Sequence, residues 1–343
     1  MAARTARGYA AAMIHLRIVA PPAKAQTVMA LLCETDSVCN VIRLSEPSRR
    51  PDGVVILCDV AREDASVVIS DLKALNLHHE GSLTLEPIDT AISDYADAAE
   101  KHARGAPADA VVWEEVEART NEQVELSGVF LLFMVLAALI AAVGIYLDSP
   151  ILIVGAMVVG PEFGPIAGFC VAVVQRRRRL ATRSALALAI GFPLAIAATY
   201  LATLAFTATG VTPDTFDQSG HGISNVIASP DFFAFFVAAC AGAAGMLSLS
   251  TAKSGALIGV LISVTTIPAA ANIGVTAAYR DWESWRGSVG QLAINLGAIL
   301  IAGTVTLAIQ RALYDRRRRR HRQEPGRAAA GLPDREPARR GAG

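Results

Sequence analysis

The sequence predicts an α-helical polytopic membrane protein of six spans, built as a 3+3 inverted repeat, behind an N-terminal α+β domain of ferredoxin-like βαββαβ order. Three observations carry this. Hydrophobic residues make up 53% of the 343-residue chain, yet they are concentrated in residues 128–310 while the N-terminal third has ordinary soluble composition. In that third, short β-branched runs alternate with segments of helical period. In the apolar part, the second and the fifth segments are both interrupted by glycine and proline.

Taken in order, residues 1–12 read as a disordered leader, which makes Met13 as well as Met1 a candidate start. His15 and Arg17 interrupt the apolar run that follows, so it is a strand and not a secretory signal. Pro22 opens a helix to about Cys33, with Val28, Leu31 and Leu32 inward. Val38–Leu44 and Val54–Val60 are strands separated by the turn SEPSRRPDG. Asp64–Leu77 is a helix with Val67, Val68, Leu72 and Leu75 at helical spacing, and Ser82–Leu85 is a last strand. The domain thus occupies 13–87. Residues 88–127 are a linker ending in an amphipathic acidic helix. Its Trp113, Val116, Thr120 and Val124 share a face, and it is expected to pack on protein opposite Arg176–Arg179.

The membrane domain, 128–310, is expected to hold spans at Gly128–Leu147, Pro150–Val174, Ala185–Ala208, Phe232–Leu249, Gly255–Ala277 and Val289–Ile309. The second would reach ~37 Å as a straight helix, at ~1.5 Å per residue, so it must bend or break. Residues 311–343 form a basic tail that is expected to be disordered. The formal charge balances at 31 Lys+Arg against 31 Asp+Glu, but the basic blocks fall asymmetrically. Arg176–Arg179, Lys253 and Arg316–Arg320 all lie on one side of a six-span arrangement, which places both termini in the cytoplasm and the chain in the inner or plasma membrane. Read as topology signals, these blocks do not imply nucleic-acid binding.

Candidate site residues gather in DSPILIVGAMVVGPEFGPIAG, which carries three prolines, four glycines and a glutamate. Such a segment is tolerated in hydrocarbon only when it is buried in protein or lines a wet cavity. Glu162 is the candidate proton carrier, cation ligand or substrate contact. Proline removes a backbone donor, so Pro161, Pro165 and Pro268 are expected to free the carbonyls of Met157, Pro161 and Val264. Thr265, Thr266 and Asn272 add polar groups in the fifth span, and Gln291 and Asn295 share a face of the sixth. Asp148, Ser149 and Pro150 read as a cap and turn, with Asp148 capping the helix that starts at Pro150. Gly160, Gly164 and Gly168 recur every fourth residue, a spacing for close helix packing.

Five cysteines form no CxxC pair and no His/Cys cluster has ligand spacing, so neither a metal nor another cofactor is implied. With no nucleophile elbow or paired carboxylates, the chain is not expected to be an enzyme. The run WEEVEARTNEQVELSGVFLLFMVLAALIAAVGIYLDSPILIVGAMVVGPEFGPIAG, with IGVLISVTTIPAAANIGV and QLAINLGAI further on, resembles bacterial membrane proteins of the "uncharacterised hydrophobic domain" type, domain of unknown function 389. The resemblance implies a membrane domain, often behind a small α+β domain, and supplies no activity.

The predicted function is therefore an integral membrane transporter or channel-like carrier of a small solute or ion, regulated by its cytosolic domain. The alternative is a membrane-anchored sensor or scaffold without transport. The expected partners are the lipid bilayer, an unknown small molecule or ion, and a second copy of the chain through small-residue faces.

Overall fold

The computed structural model describes residues 11–103, 110–212, 222–251, 265–321 and 325–332. They group into two compact units. One takes the chain up to Glu114 and from Ala312 on, with Ser250 and Thr251. The other takes Glu115–Leu249 and, from Thr265, the residues up to Arg311.

In the first unit the strands are β1 (Ala11–Ala20), β2 (Val38–Arg43), β3 (Ser48–Arg49), β4 (Asp52–Ala61) and β5 (Ser82–Ala91). The helices are α1 (Pro22–Cys33), α2 (Arg62–Ala74), the one-turn α3 (Leu77–Glu80) and α4 (Asp94–Ala103). The main sheet runs β2-β4-β1-β5 and is antiparallel throughout. The expected strand and helix order is met by β1, α1, β2, β4, α2 and β5. Two details differ. The turn SEPSRRPDG contains β3, which pairs back on Asp52 and Gly53. The first strand starts at Ala11, inside the expected leader, whose residues 1–10 lie outside those described.

Alternation explains the core. Ile14, Leu16, Ile18 and Ala20 project to one face of β1 and are buried with Val28, Leu31 and Leu32 of α1 and Val68, Ile69 and Leu72 of α2. Register is consistent with this, since Leu16 faces Cys58 on one side and Leu85 on the other. Part of the opposite face is covered too. Met13, Cys39 and Ala61 pack with Ala96, Ala99 and Ala103 of α4. The linker expected at 88–127 is therefore not one connector, because β5 continues to Ala91 and α4 is a working part of this unit.

The tail from 311 is also not a disordered segment where it is described. The last long helix continues to His321 and a further turn runs Pro325–Ala329. Arginine is a good helix former, and a basic block at a helix C-terminus complements the macrodipole. Ala330 and Leu332 join the sheet core, and Gly326 lies against α1, where a methyl group would fall 2.7 Å from the Leu31 carbonyl oxygen. Asp71 of α2 anchors the arrangement. Its carboxylate lies 3.0 Å from His321 Nε2 and pairs with Arg327, and the Asp71 side chain is 2% exposed.

Glu63, in the first turn of α2, is buried, and neither of its carboxylate oxygens has a hydrogen-bond partner among the described residues. Burial pushes its carboxyl above the ordinary value of 4.5, and the nearby Glu100 carboxylate adds to the rise. The folded unit thus holds this proton more tightly than the unfolded chain does. The stability it contributes is full below the unfolded value and is lost as pH rises through the folded one. Glu63→Gln should accordingly raise the thermal midpoint at pH 7 and flatten its decline from pH 5 upward, followed by circular dichroism of the purified protein. A lower midpoint for the variant at pH 7 would show the group to be better satisfied than its geometry indicates.

The second unit begins within α5 (Trp113–Gln123) and holds α6 (Gly128–Tyr146), α7 (Pro150–Val159), α8 (Phe163–Gln175), α9 (Arg178–Ala208), α10 (Gly222–Ala228), α11 (Phe232–Ser250), α12 (Thr266–Ala278) and most of α13 (Trp282–His321); the turn at Pro325–Ala329 is α14. Four of these helices, α6, α9, α11 and α13, are long and apolar enough to cross a membrane. The pair α7 and α8, which covers the expected second span, passes the same test jointly and is bent by 51° at its break, the geometry of a broken span or of a re-entrant loop. Of the expected fifth span, only the part from Thr265, with α12, lies within the described residues; its first part, including the glycines at 255 and 259, falls outside them, as does Lys253 in the connection before it.

Packing relies on small residues. A methyl at Gly242 of α11 would fall 2.7 Å from the Ile299 carbonyl oxygen of α13. The acidic helix behaves as expected within this unit. Val116, Thr120 and Val124 are buried, and Glu117 is paired with Arg177. Gly164 and Gly168 of α8 make room for Gln123 and Val124 at its end.

Candidate functional site

The break between α7 and α8 positions the buried acid. Gly160 closes α7 in an extended conformation, Pro161 follows, and Glu162 occupies the cap position of α8. Glu162 is only 3% exposed. Gly160 is needed here because a side chain on it would occupy the place of Glu162 Oε2 and sit 2.8 Å from Ile267 Cγ1. Across from it, α12 starts at Thr266, with Thr265 as its cap.

These two helix starts are linked. Thr266 Oγ1 donates to Glu162 Oε1 at 2.8 Å. Next to it, Thr265 Oγ1 accepts from Asn295 Nδ2 at 2.6 Å, and Asn295 Oδ1 accepts from Gln291 Nε2 at 3.3 Å. Gln291 and Asn295 stand one turn apart on α13, the i, i+4 pairing that their spacing implied. The row therefore runs from Glu162 through the two threonines to Gln291. Both of its ends are acceptors. Glu162 Oε2 and Gln291 Oε1 are buried with no hydrogen-bond partner among the described residues. Unpaired buried acceptors are costly, and what satisfies an acceptor is a donor or a cation.

The other candidates separate from this group. Asn272 is fully buried on α12, but its amide is already satisfied. Its Oδ1 accepts from Ser224 Oγ at 2.9 Å and its Nδ2 donates to Ser288 Oγ at 2.8 Å. It ties α12 to α10 and α13 as a structural bond. Met157 is buried in the last turn of α7, beside the break.

Pro165 and Pro268 act differently from expectation. Pro165 and Pro268 stand in the first turns of α8 and α12, where no intrahelical donor is called for. The Pro161 carbonyl is not bare, since it accepts from the Gly164 N–H at 3.3 Å, and Val264 lies outside the described residues. The break between the two helices falls at Gly160-Pro161-Glu162.

Asp148 does not cap α7. It stands at φ +46° just past the end of α6, where its N–H bonds to the Ile145 carbonyl and that of Ser149 to the Gly144 carbonyl. This is the closing pattern of a helix C-terminus. The cap of α7 is Ser149, without a side-chain bond, and Pro150 is its first residue. What sequence reading passed over is the pairing itself. Thr265 and Thr266 were visible as polar residues, but nothing in their spacing tells which of them meets Glu162.

Residues 157–301 match the domain of unknown function DUF389. The matched stretch contains every member of the polar row, and it includes Met157, Pro161, Pro165, Pro268 and Asn272 but not Asp148–Pro150. The chain is also 25% identical over 205 residues to the Uncharacterized protein MJ0678 of Methanocaldococcus jannaschii, across 56% of this chain and 58% of that protein. The chain thus spans little more than half of that relative's length. No solved structure matches. The DUF389 match brings no activity with it.

Proposed function

We propose that this chain is an integral inner-membrane carrier for a small solute or ion, with Glu162 as the group that takes up a coupling proton or cation. The observation that carries the reading is the buried polar row whose two ends, Glu162 Oε2 and Gln291 Oε1, are acceptors without partners. A carboxylate enclosed by apolar helices is relieved by a proton or a cation, and an intramembrane acid held at a broken helix is where such exchange is built in transporters.

The finer architecture belongs to the same reading. Helices α8 and α12 each start at the break or middle of an apolar segment, each with proline as third residue, which supports a 3+3 inverted repeat and six spans. The Arg176–Arg179 and Arg316–Arg320 blocks support cytoplasmic termini. The N-terminal unit, of ferredoxin-like order, would then be a cytosolic regulator. The reading contains no bond-making step, so the protein is not assigned an enzymatic role.

The test is flux. Purified protein in liposomes carrying an internal pH dye, under an imposed potential, should pass protons or cations above protein-free vesicles, alone or when candidate solutes are supplied. Background flux across broad ion and metabolite panels would overturn the proposal.

A further inference from the structure

A cavity of about 700 Å³ opens in the first unit and shares no residue with the Glu162 row. Two helix ends supply its cations. Arg316, Arg317 and Arg320 come from the last turns of α13, and Lys101 and His102 from the end of α4. Two carboxylates, Asp36 and Asp64, also line it. Arg317 is held in the wall, donating to the Glu63 carbonyl oxygen at 2.5 Å and standing 3.9 Å from Asp64. Arg316, Arg320 and Lys101 make no ion pair with the described residues.

The macrodipole accounts for basic residues at helix C-termini. It does not account for two such ends, from segments more than two hundred residues apart, turning their charges into one hollow. Like charges brought together around a cavity repel, and the arrangement is compensated when an anion enters. Guanidinium groups match the geometry of phosphate oxygens, and a hollow of this size suits a molecule of nucleotide scale.

We infer that this cavity binds a phosphate-bearing anion, gripped by Arg316, Arg320 and Lys101. The phosphate can belong to a soluble ester or to an anionic lipid headgroup. The inference does not depend on whether the second unit carries a solute.

The experiment uses the full chain in nanodiscs. In phosphatidylcholine discs, calorimetric titration with ATP and with inorganic pyrophosphate should show saturable binding. The Arg316→Gln/Arg320→Gln double variant, and Lys101→Gln separately, should weaken Kd at least tenfold. These side chains are surface-accessible, and unchanged circular dichroism will confirm that the variants fold. If neither soluble probe binds but wild type retains phosphatidylglycerol over phosphatidylcholine from mixed lipid and the double variant does not, the phosphate is a headgroup and the site stands. Binding and retention that are absent, or equal in wild type and variants, would overturn the inference.

Discussion

In the liposome assay, Glu162→Gln should lower flux at least tenfold relative to wild type. Glutamine keeps the size of the side chain and an oxygen for Thr266, so packing at Gly160 and Ile267 is retained. What it loses is the ability to gain and release a proton or to neutralise a cation. Thr266→Val offers a graded companion. It removes the hydrogen bond from Thr266 to Glu162 Oε1, and a bond to a charged group contributes ~1.5–3 kcal/mol. Its flux should fall by roughly an order of magnitude if that bond sets the geometry of uptake. Asn272→Ala is the contrast. Its amide is satisfied by Ser224 and Ser288, so it should reduce thermal stability while leaving the pH dependence of flux unaltered. Equal flux in wild type and Glu162→Gln would remove Glu162 from the mechanism.

Asp71→Ala should destabilise the first unit by ~3–5 kcal/mol, the usual result when one partner of a buried charge group is removed. The His321 and Arg327 side chains are 4% and 10% exposed, so neither recovers full hydration when the carboxylate goes. Arg327→Ala should cost less, because Asp71 keeps His321. The double variant Asp71→Ala/Arg327→Ala should cost less than the sum of the two singles, since the second removes a charge that the first has stranded. Denaturant unfolding followed by far-ultraviolet circular dichroism reads the energies. Limited proteolysis should show the segment after His321 becoming cleavable first. A loss below about 1 kcal/mol for Asp71→Ala would mean that the segment is held by Ala330 and Leu332 rather than by charge.

Much of this architecture was open to inspection in the residues. Alternation in Met13–Val19 and the helical spacing of Val67, Val68 and Leu72 report burial directly, so the sheet and its two helices could be placed. The broken segment around Glu162 was equally plain, because glycine, proline and an acid in an apolar run have few physical explanations. The misplaced parts share a cause. The charge of the arginines after Arg311 suggests a disordered tail, but their helix propensity is high and Asp71, some two hundred and fifty positions earlier, supplies a counter-charge for Arg327. By residue type Asp148 suggests a cap, whereas its backbone conformation at the end of α6 decides its role. Asn272 and Asn295 look alike in sequence. Only the packing of α10 and α13 makes one a structural bond and the other a member of the polar row.

The prolines at the third positions of α8 and α12 bear on which ions could rest beside Glu162. The first turn of a helix ordinarily offers several unpaired N–H groups, and these make helix starts receptive to anions. In both of these helices the third such donor is missing, because the residue is Pro165 or Pro268. The next one is already spent, with Ile166 bonded to the Glu162 carbonyl and Ala269 to that of Thr265. The protein's own carboxylate then sits where an incoming anion would have to lie. Under the proposed carrier function, chloride or phosphate would meet a thinned set of donors beside an acidic side chain, so this pair of helix starts would favour positive species over negative ones.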